Sequence, residues 1–318
     1  MKLIPAPHLA TAAKHWRVAL RSSKTNPALS IPTAHHHHHQ ESRSQYSSLA
    51  RKSSEGKNAI ITGSSRGIGR AIALRLAADG YNICINDVDS NSQGCEQVAA
   101  EVRAMGRKAC VSLADVSKRD EVKAMVQRCV KELGPLSTMV ANAGINQVKP
   151  LLDITEEDFR RMFAVNVFGV QNCYAEAARQ MLRQGTCRPD SPGKIIGAAS
   201  ISSFKPDPLV AHYAASKWAV RGLTQSYAQG LAPSNINVNA YAPGIVGTDM
   251  WDLLDAGFAE VKGVEEGSVI EKTAHELTAL GRVSVPEDVA KLVSFLASSD
   301  SDFVTGQTQV VDGGIIFT

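Results

Sequence analysis

Short apolar runs recur from Asn58 onwards, and stretches with helical periodicity separate them. The runs predict strands at 59–62, 83–85, 109–111, 139–140, 194–196, 236–238 and 310–311. The stretches between them predict helices at Arg70–Ala78, Cys95–Met105, Glu121–Leu133 and Asp158–Arg183, with a further helix at Ala211–Gly230. This alternation predicts an α/β fold: a doubly wound, seven-stranded parallel sheet with helices on both faces.

One long segment interrupts the alternation of strands and helices. It spans about 249–280, follows a strand, and contains helical pieces at Trp251–Glu260 and Val269–Leu280. Ligands of open α/β sheets bind beyond the carboxyl ends of the strands, so this segment is predicted to be a substrate lid. Trp251 is interpreted either as a wall of the substrate site or as simple packing. No linker divides residues 58–318, which predicts a single catalytic domain.

Residues 1–57 differ from the rest of the chain. They hold nine Lys or Arg against two acids, and Leu9–Arg21 has the pattern of a basic amphipathic helix. Two interpretations stand side by side: a mitochondrial presequence, or a disordered extension. The run His35–His39 is interpreted as a low-complexity tract or a tag remnant, and we expect no metal centre.

The remaining 261 residues hold 25 basic against 29 acidic side chains, without a basic stripe, so we expect no nucleic-acid partner. No apolar run reaches the roughly 18 residues of a membrane span, so we expect no membrane partner. The six cysteines form no C-x-x-C pair. They indicate a reduced, intracellular protein, in the cytoplasm or the mitochondrial matrix and not secreted.

A glycine-rich segment follows the first predicted strand and opens the first helix. In Thr62-Gly-Ser-Ser-Arg-Gly-Ile-Gly69, Gly63 permits a tight turn, Gly67 permits close approach to a pyrophosphate, and Gly69 permits helix–sheet packing. This context predicts a Rossmann-type dinucleotide site. Asp87, at the end of the second strand, favours the ribose hydroxyls of NAD, while Arg66 favours the 2′-phosphate of NADP. We predict NAD, with NADP as the alternative.

Tyr213 and Lys217 stand four residues apart in a helical stretch, which places them on one helix face. An ammonium group, together with a positive nicotinamide ring, is expected to lower the pKa of the Tyr213 phenol so that it exchanges a proton with a ketone or an alcohol. Ser200, at the end of a strand, is the candidate donor to the reacting oxygen, with Ser202 and Ser203 as rivals.

Eight segments in order carry a resemblance to the short-chain dehydrogenase/reductases from about Lys57 to Thr318. They are TGSSRGIG at 62–69, Asp115 in LADVS, ANAG at 141–144, Asn166 in VNVFG, Ser200, YAASK at 213–217, PGIVGT at 243–248 and VDGG at 311–314. The resemblance implies a ketone/secondary-alcohol oxidoreductase with Asn166, Ser200, Tyr213 and Lys217 as its catalytic group. It also implies a homotetramer.

The resemblance also implies roles around the cofactor. Asn166 would hold a water that links Lys217 to solvent, Asp115 would contact the adenine, and Asn142 would support the sheet. Ile245 and Thr248 would grip the nicotinamide carboxamide. The full expected cofactor set is Gly63, Ser65, Arg66, Gly67, Ile68, Gly69, Asp87, Asp115, Val116, Asn142, Tyr213, Lys217, Pro243, Gly244, Ile245, Val246 and Thr248.

Within the family, the chain is similar to meso-2,3-butanediol dehydrogenase/diacetyl (acetoin) reductase, as in the segments at 219–233 and 242–251 and the ending VDGGIIFT. Three positions depart from the expected pattern. Ala141 replaces an Asn, which we expect to affect stability. Ile201 replaces a Gln and Asp207 an Asn, which suggests a larger or less polar carbonyl compound than a small hydroxyketone, diol or polyol. An NADPH-dependent 3-oxoacyl or polyketide-tailoring ketoreductase and a non-catalytic dinucleotide sensor are the alternatives.

Overall fold

Seven strands form one parallel sheet in the part of the chain that the computed structural model describes, residues 56–318. They are β1 (Asn58–Ile61), β2 (Asn82–Asp87), β3 (Ala109–Leu113), β4 (Leu136–Ala141), β5 (Gly193–Ala198), β6 (Ile236–Pro243) and β7 (Thr308–Val311). Their order is β3-β2-β1-β4-β5-β6-β7, so the chain reverses its direction of winding between β1 and β4. The predicted doubly wound sheet is confirmed.

Nine helices connect these strands within residues 56–318. They are α1 (Gly67–Ala78), α2 (Ser92–Ala104), α3 (Arg119–Leu133), α4 (Glu156–Phe163), α5 (Val170–Gln184), α6 (Ala211–Leu231), α7 (Asp249–Lys262), α8 (Ser268–Leu277) and α9 (Pro286–Ala297). No helix among these residues is both long and apolar enough to span a membrane. Apart from Gly56 and Lys57, the predicted N-terminal extension 1–57, including Leu9–Arg21 and His35–His39, lies outside the described residues.

Both faces of the sheet are buried, which explains why its strands are continuous apolar runs rather than alternating ones. In β1, Ile60 belongs to a core formed with α3, α5 and α6, while Ala59 and Ile61 belong to a second core formed with α1, α2 and α9. All three side chains are fully buried. The sheet is therefore a rigid platform whose carboxyl edge, where the strands end in loops, carries the polar residues.

The stretch predicted as one helix at Asp158–Arg183 contains a change of helical type. Helix α4 passes into a π-helical turn at Ala164–Gly169, which continues directly into α5. The wider π turn inserts an extra residue into the helical repeat, and such turns occur frequently at functional sites. Here the turn carries Asn166, whose side chain is fully buried.

Candidate active site

A cleft of about 550 Å³ opens where the winding of the sheet reverses, at the carboxyl ends of β1 and β4. This is the position at which open α/β sheets bind ligands. Thirteen of the predicted site residues line it: Gly63, Arg66, Gly67, Ile68, Gly69, Asp87, Asp115, Val116, Asn142, Tyr213, Lys217, Pro243 and Thr248. The structure thus brings predicted site residues from five of the eight motif segments into one cavity.

The glycine-rich turn is shaped by close backbone contacts. Gly63 and Gly67 have positive φ angles of 62° and 54°, a conformation that glycine adopts without strain. A Cβ on Gly69 would lie 2.1 Å from the carbonyl oxygen of Gly63 and 2.7 Å from Nδ2 of Asn142. Helix α1 begins at Gly67, which lines the cleft, and the first N–H groups of a helix lack intrahelical acceptors and favour an anion.

Asn142 ties the glycine-rich turn to the middle of the sheet. Its Nδ2 donates to the carbonyl oxygens of Thr62 at 2.8 Å and Gly63 at 3.0 Å, and its Oδ1 accepts from the Tyr241 hydroxyl at 2.7 Å. One side chain therefore connects the ends of β1, β4 and β6. The preceding residue, Ala141, is buried in β4 and contributes no polar group to this network.

The Asp87 carboxylate is fixed by four donors from the protein. Ser65 donates to Oδ2 through its hydroxyl at 2.6 Å and its backbone N–H at 3.3 Å. The N–H of Val88 and Nδ2 of Asn91 both donate to Oδ1 at 2.9 Å. Ser65 does not line the cleft, so its contact with Asp87 is indirect support for the site. These four hydrogen bonds hold the carboxylate in one orientation at the end of β2.

Arg66 does not reach toward Asp87. Its Nη1 donates to Asp249 Oδ2 at 3.2 Å, and both side chains are about two-thirds exposed. Asp249 is the first residue of α7, so the pair connects the glycine-rich turn to the predicted lid. A pair this exposed contributes little to stability, but it determines where the guanidinium group lies.

Asp115 lies at the far end of the cleft from Tyr213 along the sheet, after β3. Its Oδ1 accepts from the backbone N–H of Ser117 at 2.9 Å and from the Ser117 hydroxyl at 2.7 Å, which leaves Oδ2 outside this turn. Val116 beside it is buried and packs against the α-carbon of Gly169, where a Cβ would come within 2.7 Å.

Tyr213 and Lys217 lie in the first two turns of α6 and both line the cleft. Nζ of Lys217 lies 5.4 Å from the centroid of the Tyr213 ring and donates to the carbonyl oxygen of Ala198 at 2.8 Å. The lysine is buried, so its position is set by the end of β5 as much as by α6.

Burial shifts the pKa values of Tyr213 and Lys217 in opposite directions. Burial raises the pKa of Tyr213 to about 12, while a hydrogen bond with Ser200 acts in the opposite direction. Burial also lowers the pKa of Lys217 to about 8. In the protein's own groups, desolvation therefore dominates both shifts. The expected lowering of the phenol pKa also depends on a positive nicotinamide ring, so it stays a prediction.

The three candidate serines divide into different roles. Ser200 is buried at the start of a short 3₁₀ helix, Ile201–Ser203, and its Oγ accepts from the backbone N–H of Ser202 at 3.1 Å. The Ser203 hydroxyl donates to the backbone carbonyl of Lys217 at 2.9 Å, which joins this turn to α6. The rival Ser203 is thus engaged with backbone, and Ser200 is the serine bonded to Tyr213.

Asn166 connects the π-helical turn to the loop after β4. Its Oδ1 accepts from the Ile145 N–H at 2.8 Å, and its Nδ2 donates to the Ile145 carbonyl at 2.9 Å and to Ser216 Oγ at 3.1 Å. A Cβ on Gly144 would lie 3.3 Å from Asn166 Oδ1 and 3.4 Å from Lys217 Nζ. Gly144 therefore keeps open the space between the two polar groups.

Some predicted residues lie behind the cleft rather than on its wall. Ser200 and Asn166 are buried next to Tyr213 and Lys217, while Gly244, Ile245 and Val246 are packed under the loop after β6. A Cβ on Gly244 would come within 2.7 Å of Asp312 in the VDGG segment. Ile245 is only 5% exposed and does not line the cavity, whereas Thr248 does, so the expected contact of Ile245 with the nicotinamide carboxamide stays a prediction.

Other lining residues are not among the predicted site residues. They include Asn91 beside Asp87, Ile145 and Asn146 after β4, and Met250 and Leu253 on α7. Met250 and Leu253 are three residues apart in the predicted lid helix, and this spacing could have predicted that they share one helix face. Trp251 instead packs against the core on the α1 side, which supports the packing interpretation over the substrate-wall interpretation.

The cleft suits a dinucleotide on structural grounds. Gly67 lines the cleft at the start of α1, and a Cβ there would meet only the Thr248 side chain at 3.5 Å, so its missing side chain leaves room for a pyrophosphate. Asp87 offers a fixed carboxylate about one strand away. Tyr213 and Lys217 lie on the same wall, which places acid–base groups beside the expected nicotinamide position.

Comparison with known proteins gives the same result. The short chain dehydrogenase family model matches residues 57–257. The chain belongs to this family. A short-chain dehydrogenase/reductase of Armillaria gallica is 47% identical over 83% of this chain and 97% of its own length. The L-2,3-butanediol dehydrogenase of Corynebacterium glutamicum is 43% identical, and a diacetyl reductase ((S)-acetoin forming) of Staphylococcus epidermidis is 42% identical, each over 82% of this chain and 99% of the relative.

A solved structure agrees with the fold. A short chain dehydrogenase from Burkholderia cenocepacia in complex with NADP has a TM-score of 0.72 and 32% identity, covering 83% of this chain and 99% of that one. The predicted family, fold and enzyme class are confirmed: the protein is an NAD(P)-dependent oxidoreductase that interconverts a ketone and a secondary alcohol. The hypothesis of a non-catalytic dinucleotide sensor is set aside by this membership.

Proposed function

We propose that the protein interconverts a small vicinal diketone or hydroxyketone and its alcohol with NADH as the reductant. The main observation in support is that Tyr213 and Lys217 line the same cleft as the glycine-rich turn and Asp87. The names of the butanediol dehydrogenase and diacetyl reductase relatives support the substrate class.

The protein's own residues handle the proton. In reduction, Tyr213 donates its hydroxyl proton to the carbonyl oxygen while Ser200 donates a hydrogen bond to that oxygen; oxidation reverses both steps. Lys217 replenishes the proton on Tyr213, and the space beside Gly144 admits a water between Lys217 and Asn166. The nicotinamide, when bound, supplies or accepts the hydride at the carbon.

The preference for NAD rests on two contacts. Four donors hold the Asp87 carboxylate in place, so it accepts ribose hydroxyls and repels a 2′-phosphate. Arg66, the cation that would attract this phosphate, is paired with Asp249. The alternative, an NADPH-dependent 3-oxoacyl or polyketide-tailoring ketoreductase, would require Arg66 to leave that pair.

The test is an assay of reduced-nicotinamide absorbance with diacetyl or acetoin, in which NADH and NADPH run in parallel. We expect turnover with NADH. Tyr213→Phe should lose turnover by a factor of about 10² or more while it still binds NADH, because only the transferable proton is removed. Tyr227→Phe is the matched control on the same helix, since that hydroxyl bonds Gln171 outside the cleft.

Two outcomes would contradict the proposal. Turnover only with NADPH and an acyl thioester would favour the ketoreductase alternative. Unchanged turnover in Tyr213→Phe would refute the assigned acid–base role, whatever the substrate.

Two further expectations remain proposals. A homo-oligomer, by family resemblance a tetramer, is supported by large apolar side chains exposed on α4, α6 and the π turn: Phe159, Phe168 and Trp218. A monomeric mass by light scattering would exclude it. An intracellular location, in the cytoplasm or the mitochondrial matrix, is supported by six free cysteines; fractionation of cells that produce the full chain would test it.

A further inference from the structure

The cleft that contains Tyr213 is also lined by residues outside the predicted cofactor set. Five of them come from the loop after β4, the π turn and α7, and we call them the substrate mouth: Ile145, Asn146, Val165, Met250 and Leu253. The first two follow Gly144 in the loop after β4, Val165 precedes Asn166 in the π turn, and the last two lie on α7. Four of the five side chains are apolar.

Contacts along α7 hold Met250 and Leu253 beside this loop. At its start, Asp249 pairs with Arg66, and near its middle the α-carbon of Gly257 lies so close to Val148 that a Cβ would come within 2.9 Å of the valine side chain. Asp255 is buried and accepts a hydrogen bond from the Gly267 N–H before α8. The two mouth residues of α7 are three apart and lie on one helix face.

No residue of the substrate mouth is charged. Among the described residues that line the rest of the cleft, the two cations already have partners: Arg66 pairs with Asp249, and Lys217 Nζ donates to the Ala198 carbonyl. A carboxylate or phosphate on the substrate would therefore lose water without gaining a free cation, which is unfavourable. The mouth selects an uncharged substrate.

The apolar side chains of the mouth present open surface. Leu253 is 74% exposed and Met250 is 37% exposed, although both line the cavity that contains Tyr213. An aliphatic group lying against them would remove apolar surface of both molecules from water. Asp207, a departure from the butanediol dehydrogenase pattern, does not compensate with a polar contact, because it lies outside the cleft and accepts from the Leu209 N–H at 2.8 Å.

We propose that the preferred substrate is an uncharged vicinal diketone or hydroxyketone that carries an aliphatic chain longer than methyl, which packs against Met250 and Leu253. This inference rests on the proposed function and specifies its substrate class. The occupant follows from the lining: Met250 and Leu253 belong to the same cavity as Tyr213, so a substrate whose carbonyl meets Tyr213 has these side chains available for its aliphatic chain.

The test compares 2,3-butanedione, 2,3-pentanedione and 2,3-hexanedione as substrates, with kcat/KM measured for each. We expect a rise of about two- to fourfold for each added methylene, from the transfer free energy of a partly buried CH₂. Leu253→Ala should flatten this gradient. Leu277→Ala is the matched control, because this leucine is 50% exposed on α8 and lies outside the cleft; the gradient should persist in it.

The results separate the two claims. Turnover of 2,3-butanedione with a level or falling gradient would overturn the aliphatic-chain inference and leave the proposed function intact. A gradient that survives Leu253→Ala, or that Leu277→Ala also removes, would overturn the assignment to the mouth. Dinucleotide binding without turnover of any dione would overturn the proposed function and this inference together.

Discussion

Replacing Gly69 by Ala tests whether the dinucleotide turn depends on the close contact between α1 and β1. In a helix, Ala is favoured over Gly by about 0.5–1 kcal/mol, so propensity alone predicts stabilisation. The new Cβ, however, would lie 2.1 Å from the Gly63 carbonyl oxygen, well inside van der Waals contact. Because this neighbour is backbone, no side-chain rotation relieves the clash.

The two effects have opposite signs, and their magnitudes decide the outcome. Forcing an extra methyl group into a packed site typically costs about 1–3 kcal/mol, so Gly69→Ala should lower the free energy of unfolding by about 1–2 kcal/mol after the gain in propensity. The shift of Gly63 also moves the turn that would hold the pyrophosphate. We expect NADH affinity to fall about tenfold or more.

Urea unfolding and NADH titration measure these effects. Gly222→Ala is the control, because Gly222 lies within α6 and a Cβ there meets nothing within 4 Å. This variant should gain about 0.5–1 kcal/mol and bind NADH normally. A Gly69→Ala protein as stable as the Gly222→Ala protein, with unchanged NADH affinity, would refute the argument from close packing.

Two further predictions concern selectivity and pH. Asp249→Asn should raise the NADPH-to-NADH ratio of kcat/KM about two- to fivefold, the range of an exposed ion pair, because it frees Arg66 for a 2′-phosphate. The gain should vanish when Arg66→Ala is added, and a gain that persists would contradict this cause. Ketone reduction should be level to about pH 8 and then fall, because Lys217, with its pKa lowered to about 8 by burial, loses the proton that replenishes Tyr213. The kcat/KM for alcohol oxidation should rise with pH. Burial raises the pKa of Tyr213 to about 12, so below this value the fraction of Tyr213 present as phenolate, which accepts the proton of the alcohol, increases with each pH unit. pH profiles of kcat/KM in both directions check this, and a reduction optimum above about pH 9 would contradict it.

Local sequence signals predicted the sheet well because its strands are buried on both faces. Continuous apolar runs such as Ile83–Ile85 are typical of a parallel strand that is buried on both faces, and the glycine-rich turn after β1 indicates where the first helix begins. Helical periodicity likewise predicted Ala211–Gly230, where the structure has Ala211–Leu231. These features depend on neighbours in sequence.

Other features depend on contacts between distant segments and were not predicted. Periodicity does not distinguish a π turn from an α-helix, so the widened turn that carries Asn166 was missed. The partner of Arg66 is Asp249, which is 183 residues away and outside any glycine motif. Burial raises the pKa of Tyr213 and lowers that of Lys217, and sequence spacing does not report burial.

The order of the strands explains why one side chain forms hydrogen bonds with residues from distant motifs. Because β1, β4, β5 and β6 are consecutive in the sheet, Asn142 reaches both the glycine-rich turn and Tyr241, and Lys217 reaches the end of β5. Each of these polar groups therefore serves two purposes, since it joins strand ends and also lines the cleft. A substitution at Asn142 must disturb the cofactor turn and the sheet together, whereas one at Leu253 touches the substrate end alone. Selectivity for substrate can thus change on α7 without altering the framework that positions the proton-transfer groups.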